Sequence, residues 1–354
     1  MRDSAVDHTA RGAVPGIAAD RPETGDAETA FPELGREDVE RAARLLAGQI
    51  WRTPVVRSEA LDAAAGARLW LKAENLQRGG SFKVRGASLA VARLAAEGSR
   101  GVLAQSTGNH AISVALAARR RGLPATVVLP EDAAPGKVAR LREIGARVVT
   151  AGTTLAERIA AVHDLRERHG YDVVDPYEDP RVVAGQGTAT AELVEQVERE
   201  GGRLDAVVVP VGGGSAVAGA CLATSGTGIA VVGAEPAAVP ALAAALEAGG
   251  PVTVPVGPTI ADGLRPDRIG ALPFRTARAS VSRVVAVPEA AIGAALRAAL
   301  LHARLLVEPA AATALAAALD LAPSLGADVG VLLSGGNVEE GLLVSLLAGA
   351  VAGG

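Results

Sequence analysis

Apolar positions fall into two kinds of run that alternate along most of the chain. Short stretches rich in Val, Leu, Ile and Ala occupy 69–71, 102–104, 125–129, 148–149, 173–174, 206–211, 230–234 and 329–333. Helically spaced apolar residues occupy 36–49, where Val39, Ala42, Leu45 and Leu46 fall on one face, and 82–96, 109–121, 135–144, 154–168, 181–199, 289–303 and 309–321. Continuous apolar runs bounded by glycine, each followed by a helix, predict parallel strands covered on both faces. The expected fold class is therefore α/β with two open, mostly parallel-sheet domains. Residues 33–95 and 176–354 would form the larger domain and 96–175 the smaller. No repeat of fixed period appears, so a solenoid is not expected.

Residues 1–32 break this pattern. They mix Arg, Asp, Glu, Gly and Pro without an apolar core of signal length, and read as a disordered leader. No stretch approaches the roughly 18 consecutive apolar residues of a membrane helix. A net charge of −4 spread along 354 residues shows no basic stripe, which argues against a nucleic-acid partner. The one cysteine, Cys221, excludes an intrachain disulfide framework and suits a reducing cytoplasm.

In open α/β sheets, ligands sit where strands end and loops begin. Four such places carry unusual residues. The run 206–211 passes straight into Gly212-Gly213-Gly214-Ser215, where backbone N–H groups at a helix start can converge on an anion and no Cβ stands in the way. A dinucleotide fingerprint would need Gly at Val217, and a triphosphate loop would need Lys at Ala220, so an isolated phosphate monoester is the better guest. The second place, Ser106-Thr107-Gly108-Asn109-His110, offers hydroxyls and N–H groups at a helix start and suits a carboxylate, although an ordinary N-cap has the same residue types. The third is Gly79-Gly80-Ser81-Phe82-Lys83, and the fourth Ser334-Gly335-Gly336-Asn337, which on its own could be a plain turn. No histidine pair has metal-ligand spacing.

Lys83 stands out among these residues. Of 35 basic residues only Lys72, Lys83 and Lys137 are lysines, so a position that keeps a primary amine hints at a need for one. A cation at a helix N-terminus is also poorly placed for a structural charge, and the same field favours the neutral, nucleophilic amine.

In order along the chain, Glu74-Asn-Leu-Gln77, Ser81-Phe-Lys-Val-Arg-Gly-Ala87, Gly108-Asn-His-Ala111, Pro130-Glu-Asp-Ala-Ala-Pro-Gly-Lys137, Val183-Ala-Gly-Gln-Gly-Thr188, Gly212–Ser215, Glu235-Pro236, Thr259-Ile-Ala-Asp-Gly263, Val307-Glu-Pro-Ala310 and Ser334–Asn337 resemble the fold-type-II pyridoxal-phosphate enzymes, in the threonine dehydratase/serine racemase branch. The resemblance covers about residues 38–350, and all three asparagines lie in its motifs.

It implies a tryptophan synthase β-like fold, with pyridoxal 5'-phosphate in the cleft between the domains. Lys83 would be the Schiff-base lysine and Phe82 would pack beside the cofactor. Gly212, Gly213, Gly214 and Ser215 would bind the phosphate, Asn109 the ring 3-oxygen and Ser334 the pyridine nitrogen. Ser106, Thr107, Gly108 and His110 would receive the substrate carboxylate, with Lys83 and Thr107 as the catalytic pair. The implied activity is a cytoplasmic, homodimeric ammonia-lyase converting L-threonine, L-serine or a related β-hydroxy amino acid to a 2-oxo acid and ammonia.

Several departures bear on that reading. Ser215 replaces a fourth glycine, and Thr107 keeps a hydroxyl where racemases of the branch use serine, so racemisation is the principal alternative. His110, where β-replacement and threonine-synthase relatives continue with Thr, disfavours those activities. Cation-binding members pair the Glu of the Glu-Pro motif with an Asp six residues on; Ala241 stands there, and no metal is expected. The chain ends soon after Ser334, so no C-terminal regulatory domain is expected.

Overall fold

The computed structural model describes residues 33–106, 108–133 and 135–348; the expected leader at 1–32 and the catalytic candidate Thr107 lie outside the described residues. Among them, strands β1 (Val55–Val56), β2 (Arg68–Ala73), β3 (Val102–Gln105), β4 (Ala125–Leu129), β5 (Arg147–Thr150), β6 (Asp172–Val173), β7 (Ala206–Pro210), β8 (Ala230–Pro236), β9 (Val281–Val287) and β10 (Asp328–Leu333) form two sheets. The six-stranded sheet has the order β1-β2-β10-β7-β8-β9, and the four-stranded one β5-β4-β3-β6. Of these strands only β1 pairs antiparallel; every other pairing is parallel. The expected α/β class with two open, mostly parallel sheets is the one observed.

The strands read from continuous apolar runs are buried at every position in β4, β7 and β10, as expected of central strands covered by helices on both faces. The helix Pro309–Leu325 and residues of β2, β7 and β10 build one core, while Val207, Val209 and the helix Ser215–Thr224 contribute to another on the opposite face. A third core joins the four-stranded sheet to Ala87, Ala90, Val91 and Leu94 of the helix Lys83–Ala96. That helix also crosses Pro180–Arg199 closely: a Cβ at Gly185 would lie 2.6 Å from the Cα of Gly86.

Beneath the crossing lies a charged cluster. Arg85 is fully buried and donates to both carboxylate oxygens of Glu74 and of Glu192. Lys72 Nζ, equally buried, donates to Glu192, Gln196 and the Thr53 carbonyl. One of the three lysines therefore has a structural use.

Some elements differ from the expectation. The helix expected over 36–49 stops at Leu46, and Leu45 is 55% exposed while Val39, Ala42 and Leu46 are buried. The helix expected over 289–303 is α-helical only to Ala298 and ends in a π-turn, Ala299–Ala303, closed by Arg304 in the left-handed region.

Candidate active site

The loops that follow β3, β6, β7 and β10 all open into one cleft of about 820 Å³. Its walls include Phe82, Lys83, Ser106, Gly108, Asn109, His110, Gly212, Gly213, Gly214, Ser215 and Ser334. The structure thus brings together every described residue to which the resemblance gives a site role, from four segments spread over about 250 positions.

Each loop has a local reason for its shape. Gly214 caps the helix Ser215–Thr224 with φ of +96°, a conformation that disfavours any side chain. A Cβ at Gly213 would run into the ring of Tyr177. The first N–H groups of a helix lack intrahelical partners, so this loop is a preformed anion cradle with bare backbone. The Ser334 loop is stitched to the lysine loop: Phe82 N–H donates to the Ser334 carbonyl at 3.0 Å, and Gly336 N–H to that of Gly80 at 2.9 Å. Those bonds tie the Ser334 loop to the lysine loop, and Ser334 lines the same cleft as Lys83.

Lys83 is the first residue of its helix, and its amine donates to Ser215 Oγ at 3.0 Å and to the Pro176 carbonyl at 3.2 Å. Its Nζ also lies 5.2 Å from the centre of the Phe82 ring. Burial lowers the amine pKa to about 8, against the pull of the nearby Asp175 carboxylate. By that value about a tenth of the amine is neutral at neutral pH, far more than for a solvated lysine.

His110 is buried, and its Nε2 lies 2.7 Å from the Val174 carbonyl. A carbonyl accepts, so Nε2 carries the proton and Nδ1, which has no partner among the described residues, presents a lone pair. Burial, with the Lys83 amine adding to it, lowers the His110 pKa to about 4 and keeps the ring neutral. Ser106 Oγ accepts from the Gly108 N–H at 3.2 Å, shaping the turn before the helix Asn109–Arg121.

Asn109 donates to both oxygens of Glu308, at 2.8 and 3.0 Å, and accepts from Asn337 at 2.6 Å. Glu308 was visible in sequence only as part of the Val307–Ala310 motif and had no assigned role. Lys137, at the cleft mouth, pairs with Asp262 and Glu339, each at 3.2 Å.

The match of the chain to known proteins decides its family. Residues 46–335 match the family model described as "Pyridoxal-phosphate dependent enzyme". The chain belongs to this family. An L-threo-3-hydroxyaspartate ammonia-lyase from Pseudomonas sp is 40% identical over 316 residues, covering 88% of this chain and 98% of that protein. A serine racemase from Arabidopsis thaliana is 38% identical over 303 residues, covering 83% and 90%. The solved threonine deaminase of T.th. superposes with a TM-score of 0.83 at 41% identity, covering 86% of this chain and 99% of that one. The pyridoxal-phosphate enzyme described here has the fold-type-II architecture that the ordered motifs implied.

The site fits that cofactor. Gly212–Ser215 form the bare cradle a phosphate monoester needs, Lys83 supplies an amine that is easily deprotonated, and Ser334 presents a hydroxyl at the end of β10. Glu235 belongs elsewhere: its carboxylate accepts N–H bonds from Leu242 and Ala243 at 2.9 and 3.1 Å, at the start of the helix Ala241–Ala248. No group of His, Cys, Asp and Glu arranged to hold a metal occurs among the described residues. Nor is any described helix long and apolar enough to cross a membrane.

Proposed function

We propose that this pyridoxal-phosphate enzyme is an ammonia-lyase acting on L-threonine, L-serine or a related β-hydroxy amino acid such as 3-hydroxyaspartate, with a 2-oxo acid and ammonia as products. The observation that carries the reading is the Lys83 amine, shifted to about 8 and set 3.0 Å from Ser215 at the glycine cradle.

In this reading Lys83 would hold the cofactor, and its amine would take the proton from the substrate Cα. Phe82 would pack beside the ring, Asn109 would donate to its 3-oxygen, and the N–H groups of Gly212–Ser215 would hold the phosphate. When bound, the cofactor supplies an electron sink for the pair left at Cα. Ser334 would face the pyridine nitrogen as a neutral hydroxyl, whereas a carboxylate there would keep an extra proton on the ring and deepen the sink. The neutral partner favours prompt departure of the β-hydroxyl. Ser106, Thr107, Gly108 and His110 receive the substrate carboxylate, His110 through its backbone N–H because its ring proton is spent on Val174.

Residues 33–95 and 176–354 form the cofactor-holding part, and 96–175 carry the substrate loop. A homodimer in the cytoplasm is the working form we infer. The single, buried Cys221 suits a reducing compartment, and the exposed Trp51 and Leu76, which flank Gln77, offer apolar surface to a second copy.

Racemisation is the second reading, favoured by the Thr107 hydroxyl and the serine racemase relative. A screen of β-hydroxy amino acids for 2-oxo acid release, with chiral analysis of the remaining substrate, tests both. Release of 2-oxo acid supports the lyase; D-serine formed from L-serine without release supports the racemase instead.

A further inference from the structure

Glu308 has no role in the assignments above, yet it lines the same cleft as Lys83 and is only 5% exposed. Among the described residues its carboxylate meets no arginine or lysine directly; its side-chain partner is the neutral amide of Asn109. That amide is fixed at both ends. Its oxygen accepts from Asn337, which also donates to the Gly79 carbonyl at 2.8 Å and accepts from Arg140 at 2.8 Å. One amide hydrogen, shared between the two Glu308 oxygens, can serve both contacts, which leaves the second for another acceptor. The chain Arg140–Asn337–Asn109–Glu308 leaves Asn109 a single sensible orientation, because the opposite flip would set its oxygen against a carboxylate.

We propose that Glu308 is a positioning residue that aims the Asn109 amide at the cofactor ring oxygen, and that its charge state sets how strongly that amide donates. The proposal rests on the assignment of Lys83 and Asn109 to cofactor binding. An amide nitrogen that donates to a full carboxylate is a weaker donor through its second hydrogen, and a neutral carboxyl group relaxes that competition. A negative charge beside the ring also raises the proton affinity of the bound cofactor.

Glu308 can change charge under ordinary conditions. Burial raises its pKa to about 7, and Asp262 adds to the rise; Asn109, the Asn337 N–H and Lys137 oppose it. Other ionisable groups face the same space. Lys137 is itself paired with Asp262 and Glu339, and Glu340 stands beside them at the mouth. Deeper in, His110 stays neutral, and Asp175 is a second buried carboxyl with a raised pKa, again from burial. A pH profile alone therefore does not single out Glu308; a variant does.

The test uses the cofactor-loaded full chain and reads the absorption band of bound cofactor and the cofactor dissociation constant across neutral pH, without substrate. Wild type is expected to shift with a midpoint near 7. Glu308→Gln keeps an acceptor for Asn109 but cannot ionise, so the shift should vanish while affinity falls by less than about tenfold. Glu308→Asp should restore a shift with a displaced midpoint. Asn109→Ser, which cuts the link from the other side, should also abolish it and guards against misfolding of the Gln variant. A wild-type band without that midpoint, or a midpoint that survives in Glu308→Gln or Asn109→Ser, overturns the proposal alone. A wild type that forms no band overturns the Lys83 assignment, and this proposal with it.

Discussion

Lys83 Nζ and Ser215 Oγ stand 3.0 Å apart, so the first residue of one helix is hydrogen-bonded to the first residue of another. Two positive helix ends thus converge on one amine and one cradle. That field suits a phosphate and a neutral amine, and it works against a resident ammonium.

The amine should govern how fast the apo-protein captures its cofactor. The folded pKa of Lys83 is lowered to about 8 from 10.5, so the reactive neutral form grows as pH rises and is nearly complete above the folded value. The second-order rate of cofactor capture, followed by absorbance, should rise with pH and level off past an inflection near 8. An inflection near 10.5 would mean the amine is solvated like any other. The linked effect on stability has the same sign: charged Lys83 is disfavoured in the folded apo-protein, so its unfavourable contribution fades as pH rises from about 8 to 10.5.

The cradle should tolerate no side chain at Gly213. Gly213→Ala drives a methyl group into the Tyr177 ring and should displace either the ring or the loop. Overpacking of this kind costs about 1–3 kcal/mol, or roughly five- to 150-fold in cofactor affinity if the loop moves. Equilibrium titration of the apo-variant measures it, and Gly213→Ala combined with Tyr177→Ala should recover most of the loss. Unchanged affinity in the single variant would show that the phosphate sits elsewhere.

Sequence patterning revealed the architecture where burial is two-sided. The Val-rich runs of β4, β7 and β10 are apolar at every position because helices cover both faces. It failed at the edges. β1 has two residues, too few for a period, and β9 alternates weakly because a register shift on this edge strand leaves consecutive Ser282 and Arg283 both exposed. The site loops were legible because glycines and hydroxyls at strand ends carry a local signal. Glu308 was not, since the amide it holds lies 199 positions away and only the fold joins them. For the same reason Lys72 looked as unusual in composition as Lys83, and its burial against Glu192 gives it a structural explanation.

The buried charge cluster yields a stability prediction. Arg85→Ala leaves Glu74 and Glu192 facing each other, with Lys72 and neutral donors to compensate them. Breaking such a buried pair costs about 3–5 kcal/mol. Chemical denaturation of the apo-protein should show a loss of that order, and a loss below about 1 kcal/mol would mean that water reaches the cluster.

Cys221 should behave as a core residue. Burial raises its thiol pKa to about 12, so the native protein should resist a thiol reagent at neutral pH and react with one equivalent only after unfolding. Rapid labelling of the native form would contradict its placement in the helix Ser215–Thr224 core.

Three lysines make the central claim directly testable. Borohydride reduction of the cofactor-loaded protein fixes the cofactor to the amine that holds it, and peptide mass mapping locates it. The account predicts the label on Lys83 alone; a label on Lys72 or Lys137, or no label at all, would contradict it.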